Sequence, residues 1–151
     1  MTQWPGNPHK EKTSFGNLSR SQLMSRVRSS GNQTTELLLA KLLRKSKLIG
    51  WRRHWPLIGK PDFVWPKSKL VVFVDGCFWH GHTCGKNINP KTNAKLWQEK
   101  IKRNRERDRR ITRELRLLGW HVIRCWECHL SKKPNYCLTR IKKVILSNNI
   151  G

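Results

Sequence analysis

The densest chemistry in this 151-residue chain lies in eight residues, Cys77-Phe78-Trp79-His80-Gly81-His82-Thr83-Cys84. Cys77, His80, His82 and Cys84 are four potential zinc ligands, and Cys125 and Cys128 supply more from a Cys-x-x-Cys further along. Tetrahedral zinc takes four N or S ligands, usually gathered from two separate short segments, and this distribution meets that requirement. The spacing differs from that of a standard zinc finger, and the blander interpretation is buried thiols beside surface histidines. A zinc ion here is expected to be structural, because a small core gains from a metal staple.

The second constellation is acidic. Only nine carboxylates stand against 32 lysines and arginines, giving a net charge of +23. Most of the late carboxylates fall on a basic helical stretch, where they act as ordinary charge partners. Asp62 and Asp75 differ: Asp62 opens an apolar run after Gly59-Lys60-Pro61, and Asp75 ends the most hydrophobic run of the chain. Two aspartates at adjacent strand ends offer the hard oxygen ligands that hold Mg2+ against a phosphate. Such an ion polarises the phosphoryl oxygen and helps to generate a hydroxide nucleophile. Glu36 can join them or orient a ligand, and His80, five residues past Asp75, can take the proton from attacking water. The alternative makes both aspartates strand-end or capping carboxylates.

Aromatic residues form the third group. Of eight tryptophans, Trp51, Trp55, Trp65, Trp120 and Trp126 lie in or beside apolar runs and are expected in the core. Phe78 and Trp79 sit instead in the ligand-dense segment, and Trp97 opens the basic helix. Apolar wedges beside a basic surface can enter a base stack and kink a duplex; packing around the zinc is the competing role.

A +23 charge on a domain of this length repels itself and calls for a polyanionic partner, with nucleic acid first in line. No apolar run approaches the ~20 residues of a membrane helix, and Met1–Lys12 is polar, without the apolar segment of a secretory signal. A cytoplasmic, reducing setting follows as the expectation, in which five cysteines are metal ligands or free thiols rather than disulfides.

The elements that must position these groups read as one domain, residues 34–151, behind a basic N-terminal arm, residues 1–33. The arm is polar, with at most one short helix near Leu18–Arg28. A helix is expected from Thr34 to Lys47, capped by Thr34 or Thr35, with Leu37, Leu38, Leu42 and Leu43 at the helical period. Short runs at Arg53–Leu57, Asp62–Trp65 and Leu70–Asp75 follow as strands. Leu70-Val71-Val72-Phe73-Val74 is unbroken, as in a strand buried on both faces. A long helix over Thr92–Leu118 places Trp97, Ile101, Asn104, Asp108, Ile111, Leu115 and Leu118 on one face, and Gly119 stops it. A strand over Trp120–Trp126, a loop, and a helix over Asn135–Ser147 complete an α/β fold, a mixed sheet flanked by helices.

Two strings, Gly59-Lys60-Pro61-Asp62-Phe63-Val64 and Val72-Phe73-Val74-Asp75-Gly76-Cys77-Phe78-Trp79-His80, resemble those of the very short patch repair (DNA mismatch) endonuclease family. Further matching strings are Trp97 with Glu99-Lys100-Ile101, Asn104 with Arg107-Asp108, Leu118-Gly119-Trp120, Trp126-Glu127-Cys128, and Arg20 to Arg28 in the arm. The resemblance spans about residues 18 to 130. It implies a restriction-endonuclease-like fold with structural Zn2+, and Mg2+-dependent nicking of double-stranded DNA 5′ to the thymine of a T:G mismatch. It also implies that Asp62 and the Val74 carbonyl bind Mg2+, that His80 is the general base, and that Glu36 supports them. Cys77, His82, Cys84 and Cys128 would hold zinc, and Phe78, Trp79 and Trp97 would form the wedge. Some members carry Thr-His where this chain has Val74-Asp75, so Asp75 is expected to bind metal here rather than to stabilise phosphate as a cation. A nick needs one active site, so a monomer is expected. The rival from another class is a non-catalytic, zinc-stabilised DNA-binding module, which leaves the strand-end carboxylates unexplained.

Overall fold

The computed structural model describes residues 35–77 and 93–149. The N-terminal arm and the segment carrying Phe78, Trp79, His80, His82 and Cys84 lie outside the described residues. Helix α1 occupies 35–45, β1 Phe63–Trp65, β2 Leu70–Asp75, α2 Ala94–Leu117, β3 His121–Trp126, α3 Glu127–Lys132 and α4 Pro134–Asn148. No helix among the described residues is long and apolar enough to cross a membrane.

The three strands form one mixed sheet in the order β1-β2-β3. β1 runs antiparallel to β2, with Phe63 opposite Val72, and β3 runs parallel to β2, from Leu70 opposite His121 to Asp75 opposite Trp126. All six residues of β2 are buried, because the sheet is covered on both faces. On one face Leu39 and Leu43 of α1 pack with Phe63, Val72, Val74, Ile123 and Cys125, closed over by Leu130, Cys137 and Ile141 of α3 and α4. On the other, Val64, Val71 and Phe73 meet Ile111 and Leu115 of α2. The alternation along each strand thus sorts its residues between two cores.

Several expectations are corrected. The run Arg53–Leu57 is not a strand: Arg52 alone makes a bridge to Val64, its N–H donating to the Val64 carbonyl at 2.7 Å and its carbonyl accepting at 2.9 Å. His54 then turns to φ +54° and Pro56 lacks a donor, so pairing stops. Trp55 is exposed rather than core. The expected loop after β3 contains α3, which buries Cys128 and Leu130. Leu118 is 62% exposed, because α2 ends at Leu117 and the chain turns through Gly119 at φ +86°. Trp65 is buried as expected, with its indole N–H donating to the Ile49 carbonyl at 3.0 Å.

Gly59 presses the loop before β1 onto α2. Its φ is +77°, and a Cβ there would lie 2.5 Å from Ile111 Cγ2 and 3.4 Å from Phe73 Cζ. Left-handed backbone and a contact that short both oppose any larger residue. Gly59→Ala is expected to lower stability by about 1–3 kcal/mol, measured by urea denaturation; an unchanged midpoint would refute the contact.

Candidate active site

Asp62 stands just before β1, at the end of the sheet where β2 finishes. Its backbone N–H donates to the Val72 carbonyl at 3.1 Å, extending the β1–β2 ladder by one residue. Its Oδ2 accepts from the Val74 N–H at 2.7 Å. The side chain is thereby tied to the strand whose Val74 carbonyl was expected to face a metal. Glu36, on the first turn of α1, hydrogen-bonds with Asp62, and its Oε2 accepts from Arg53 Nη2. Arg53 in turn stacks 5.2 Å from the Phe63 ring centre.

Burial is the main influence on Asp62 and pushes its carboxyl up from 3.8 to about 8. The Val74 N–H works against burial by favouring the carboxylate, and the neighbouring Glu36, then Asp75, add to the rise. The carboxyl is held between two demands: the fold gives it a hydrogen bond suited to an anion, and surroundings that penalise the anion. A bound cation would relieve this conflict. Mg2+ is commonly held by one or two carboxylates, with waters and substrate phosphate completing its shell. Asp62 with the Val74 carbonyl fits that donor set.

Asp75 has a different environment. It is 3% exposed, and both its oxygens accept from Arg124 Nη1, Oδ1 at 3.0 Å and Oδ2 at 2.9 Å. Arg124, on β3, lies 4.4 Å over the Phe73 ring and reaches α2, where Nη2 donates to the Asp108 carbonyl at 3.3 Å and Nε to Thr112 Oγ1 at 3.3 Å. A second ion pair joins Nη2 and Asp108 Oδ1 at 3.6 Å. The sequence gives little sign of this hub, since Arg124 is one of 32 cations. The signal is its place between Ile123 and Cys125 in a strand, opposite Phe73 in register.

Of the expected zinc ligands, Cys77 and Cys128 are described and both are buried, while His82 and Cys84 lie outside the described residues. Cys125 faces the core and hydrogen-bonds with Cys137, which together with burial pushes the Cys125 thiol up. Trp97 is half-buried in α2. Among the described residues, no group of three or more His, Cys, Asp or Glu side chains is placed to hold a metal ion.

Folding takes up a proton at Asp62 whenever the pH lies between its unfolded and folded values. The stability it contributes is complete below about 3.8 and is lost as pH rises through about 8. Asp62→Asn is expected to flatten the fall in melting temperature across that window; equal slopes in both proteins would refute the raised carboxyl.

The geometry can be set beside known proteins. Residues 13–86 match the family model described as DNA mismatch endonuclease Vsr. The chain is 38% identical over 131 residues to the type II nicking enzyme V.NmeAIP of Neisseria meningitidis serogroup A, covering 87% of this chain and 92% of that protein. It is 43% identical over 115 residues to the type II nicking enzyme V.XorIIP of Xanthomonas oryzae pv. oryzae, covering 74% and 82%. Against the DNA mismatch endonuclease Vsr of Escherichia coli K12 it is 44% identical over 95 residues, covering 63% and 61%. The matched segment contains Glu36, Asp62, Val74, Asp75 and Cys77, the residues around which the strand ends are built, and so the chain belongs to the Vsr family of DNA mismatch endonucleases.

Proposed function

We propose that this DNA endonuclease nicks one strand of a duplex on the 5′ side of the thymine in a T:G mismatch, by Mg2+-dependent hydrolysis. The observation that carries the reading is Asp62: a buried carboxyl beside Glu36, fixed by the Val74 N–H, in a chain of net charge +23. The relatives named as nicking enzymes and as a mismatch endonuclease support strand nicking at a mismatch.

Asp62 and the Val74 carbonyl would hold Mg2+, which when bound polarises the phosphoryl oxygen and lowers the pKa of a water. Glu36 orients Asp62 and is itself anchored by Arg53. His80 takes the proton from the attacking water. Phe78, Trp79 and Trp97 enter the duplex beside the mismatch. The outer side of α2 supplies the grip: Lys102, Arg105, Arg109, Arg113 and Arg116 recur at spacings of three and four and are all exposed. Cations so placed hold phosphates without reading bases, and binding through them weakens steeply with salt. Cys77, His82, Cys84 and Cys128 would hold a structural Zn2+, which would supply a staple to a small core. The enzyme acts as a monomer.

A bound metal contributes several kcal/mol of charge stabilisation, so Asp62→Asn should slow nicking of a labelled T:G duplex by roughly 10^3-fold or more. Binding of that duplex by the variant, with Mg2+ simply left out, should be retained. Nicking at the wild-type rate by the variant would sink the assignment, and equal cutting of T:G and T:A duplexes would remove the mismatch specificity. Zinc removal by a strong chelator is expected to lower the melting temperature and to be reversed by added Zn2+; a melting curve indifferent to the chelator would exclude a structural ion.

A further inference from the structure

We propose that Arg124 is a positioning residue of the cleavage site, and that Asp75 serves as its counter-ion instead of as a metal ligand. The inference rests on the metal-dependent reading above and deepens it. Every edge of the Arg124 guanidinium is occupied by protein: Nη1 by both oxygens of Asp75, Nη2 by Asp108, and Nε by Thr112. Its flat face rests on Phe73. A side chain committed in this way does not reach a phosphate; it holds other groups in place.

What it holds is the end of β2. Asp75 follows Val74, and the peptide joining them carries the Val74 carbonyl. The Val74 N–H is already fixed by Asp62. Clamping Asp75 from β3 and α2 fixes the other side of the same residue, so the carbonyl's direction is set from two neighbours. A guanidinium in contact with both Asp75 oxygens also disfavours a divalent cation there, by direct repulsion. Among the described residues no cation pairs with Asp62 in this way: it meets the Val74 amide and the Glu36 carboxyl. Charge and geometry thus divide the two aspartates between two tasks.

The test is Mn2+ binding to the full chain, followed by the electron paramagnetic resonance of free Mn2+, for wild type and for Asp62→Asn, Asp75→Asn and Arg124→Lys. Outer partners of a metal site typically alter affinity by 10–100-fold, so Arg124→Lys should weaken Mn2+ by roughly that factor although it removes no ligand. It should raise the Mg2+ needed for half-maximal nicking and leave the affinity for uncut duplex unchanged. Asp75→Asn, which keeps one oxygen for Arg124, should do less than Arg124→Lys and far less than Asp62→Asn. Loss of Mn2+ in Asp75→Asn equal to that in Asp62→Asn would make Asp75 a ligand and overturn the inference. Unchanged metal dependence in Arg124→Lys would reduce Arg124 to a structural role. If the lysine variant does not fold, Asp75→Asn against Asp62→Asn still decides the matter. Full Mn2+ binding by Asp62→Asn would instead remove the metal site, and the proposed function with it.

Discussion

A guanidinium enclosed by two carboxylates is the interaction on which this structure turns. Arg124 brings together Asp75 at the end of β2 and Asp108 in α2, from its own place on β3. Buried charges are tolerable only when paired and hydrogen-bonded, and removing one partner typically costs about 3–5 kcal/mol. In a chain of net charge +23, where most of the surface repels itself, this is an attractive centre tying one helix to two strands. Its contact with Asp75 lies at the end of β2, one residue beyond the Val74 amide that Asp62 holds.

Four of the nine acids, Glu36, Asp62, Asp75 and Asp108, are drawn into this region, and the fold treats them in two ways. Asp75 and Asp108 are answered by an arginine within the protein. Glu36 has Arg53, but Asp62 has burial, an amide and a neighbouring carboxyl. Among the described residues the unmet electrostatic demand thus falls on Asp62, at the carboxyl end of a parallel strand pair, where α/β sheets commonly place their ligands.

The sheet and its flanking helices were legible because they rest on periodicity. An unbroken Leu70–Val74 run has few alternatives to a strand covered on both faces, and the three-and-four spacing from Trp97 to Leu115 has few alternatives to a helix. Where periodicity is weak, legibility ends. α3 has six residues, too few to show a period, and its Trp126-Glu127-Cys128 start reads equally as a ligand loop. Leu118 continues the spacing of α2 beyond the point where Gly119 permits a helix. In the site, Asp62 and Asp75 stand out as scarce acids on apolar runs, but what separates their roles is not local. Arg124 and Asp75 are 49 residues apart, and only the parallel register places them side by side.

That separation governs when the site can come into being. Leu70 pairs with His121 and Asp75 with Trp126, so β2 and β3 meet only after the intervening crossover through α2 has closed. Long closures are entropically costly, and non-local pairing of this kind slows folding. The basic stripe of α2, by contrast, is local to one helix and needs no such closure. Arg124 therefore reaches Asp75, and the end of β2 is squared, only once that closure is made, whereas the residues of the stripe are neighbours as soon as α2 is helical.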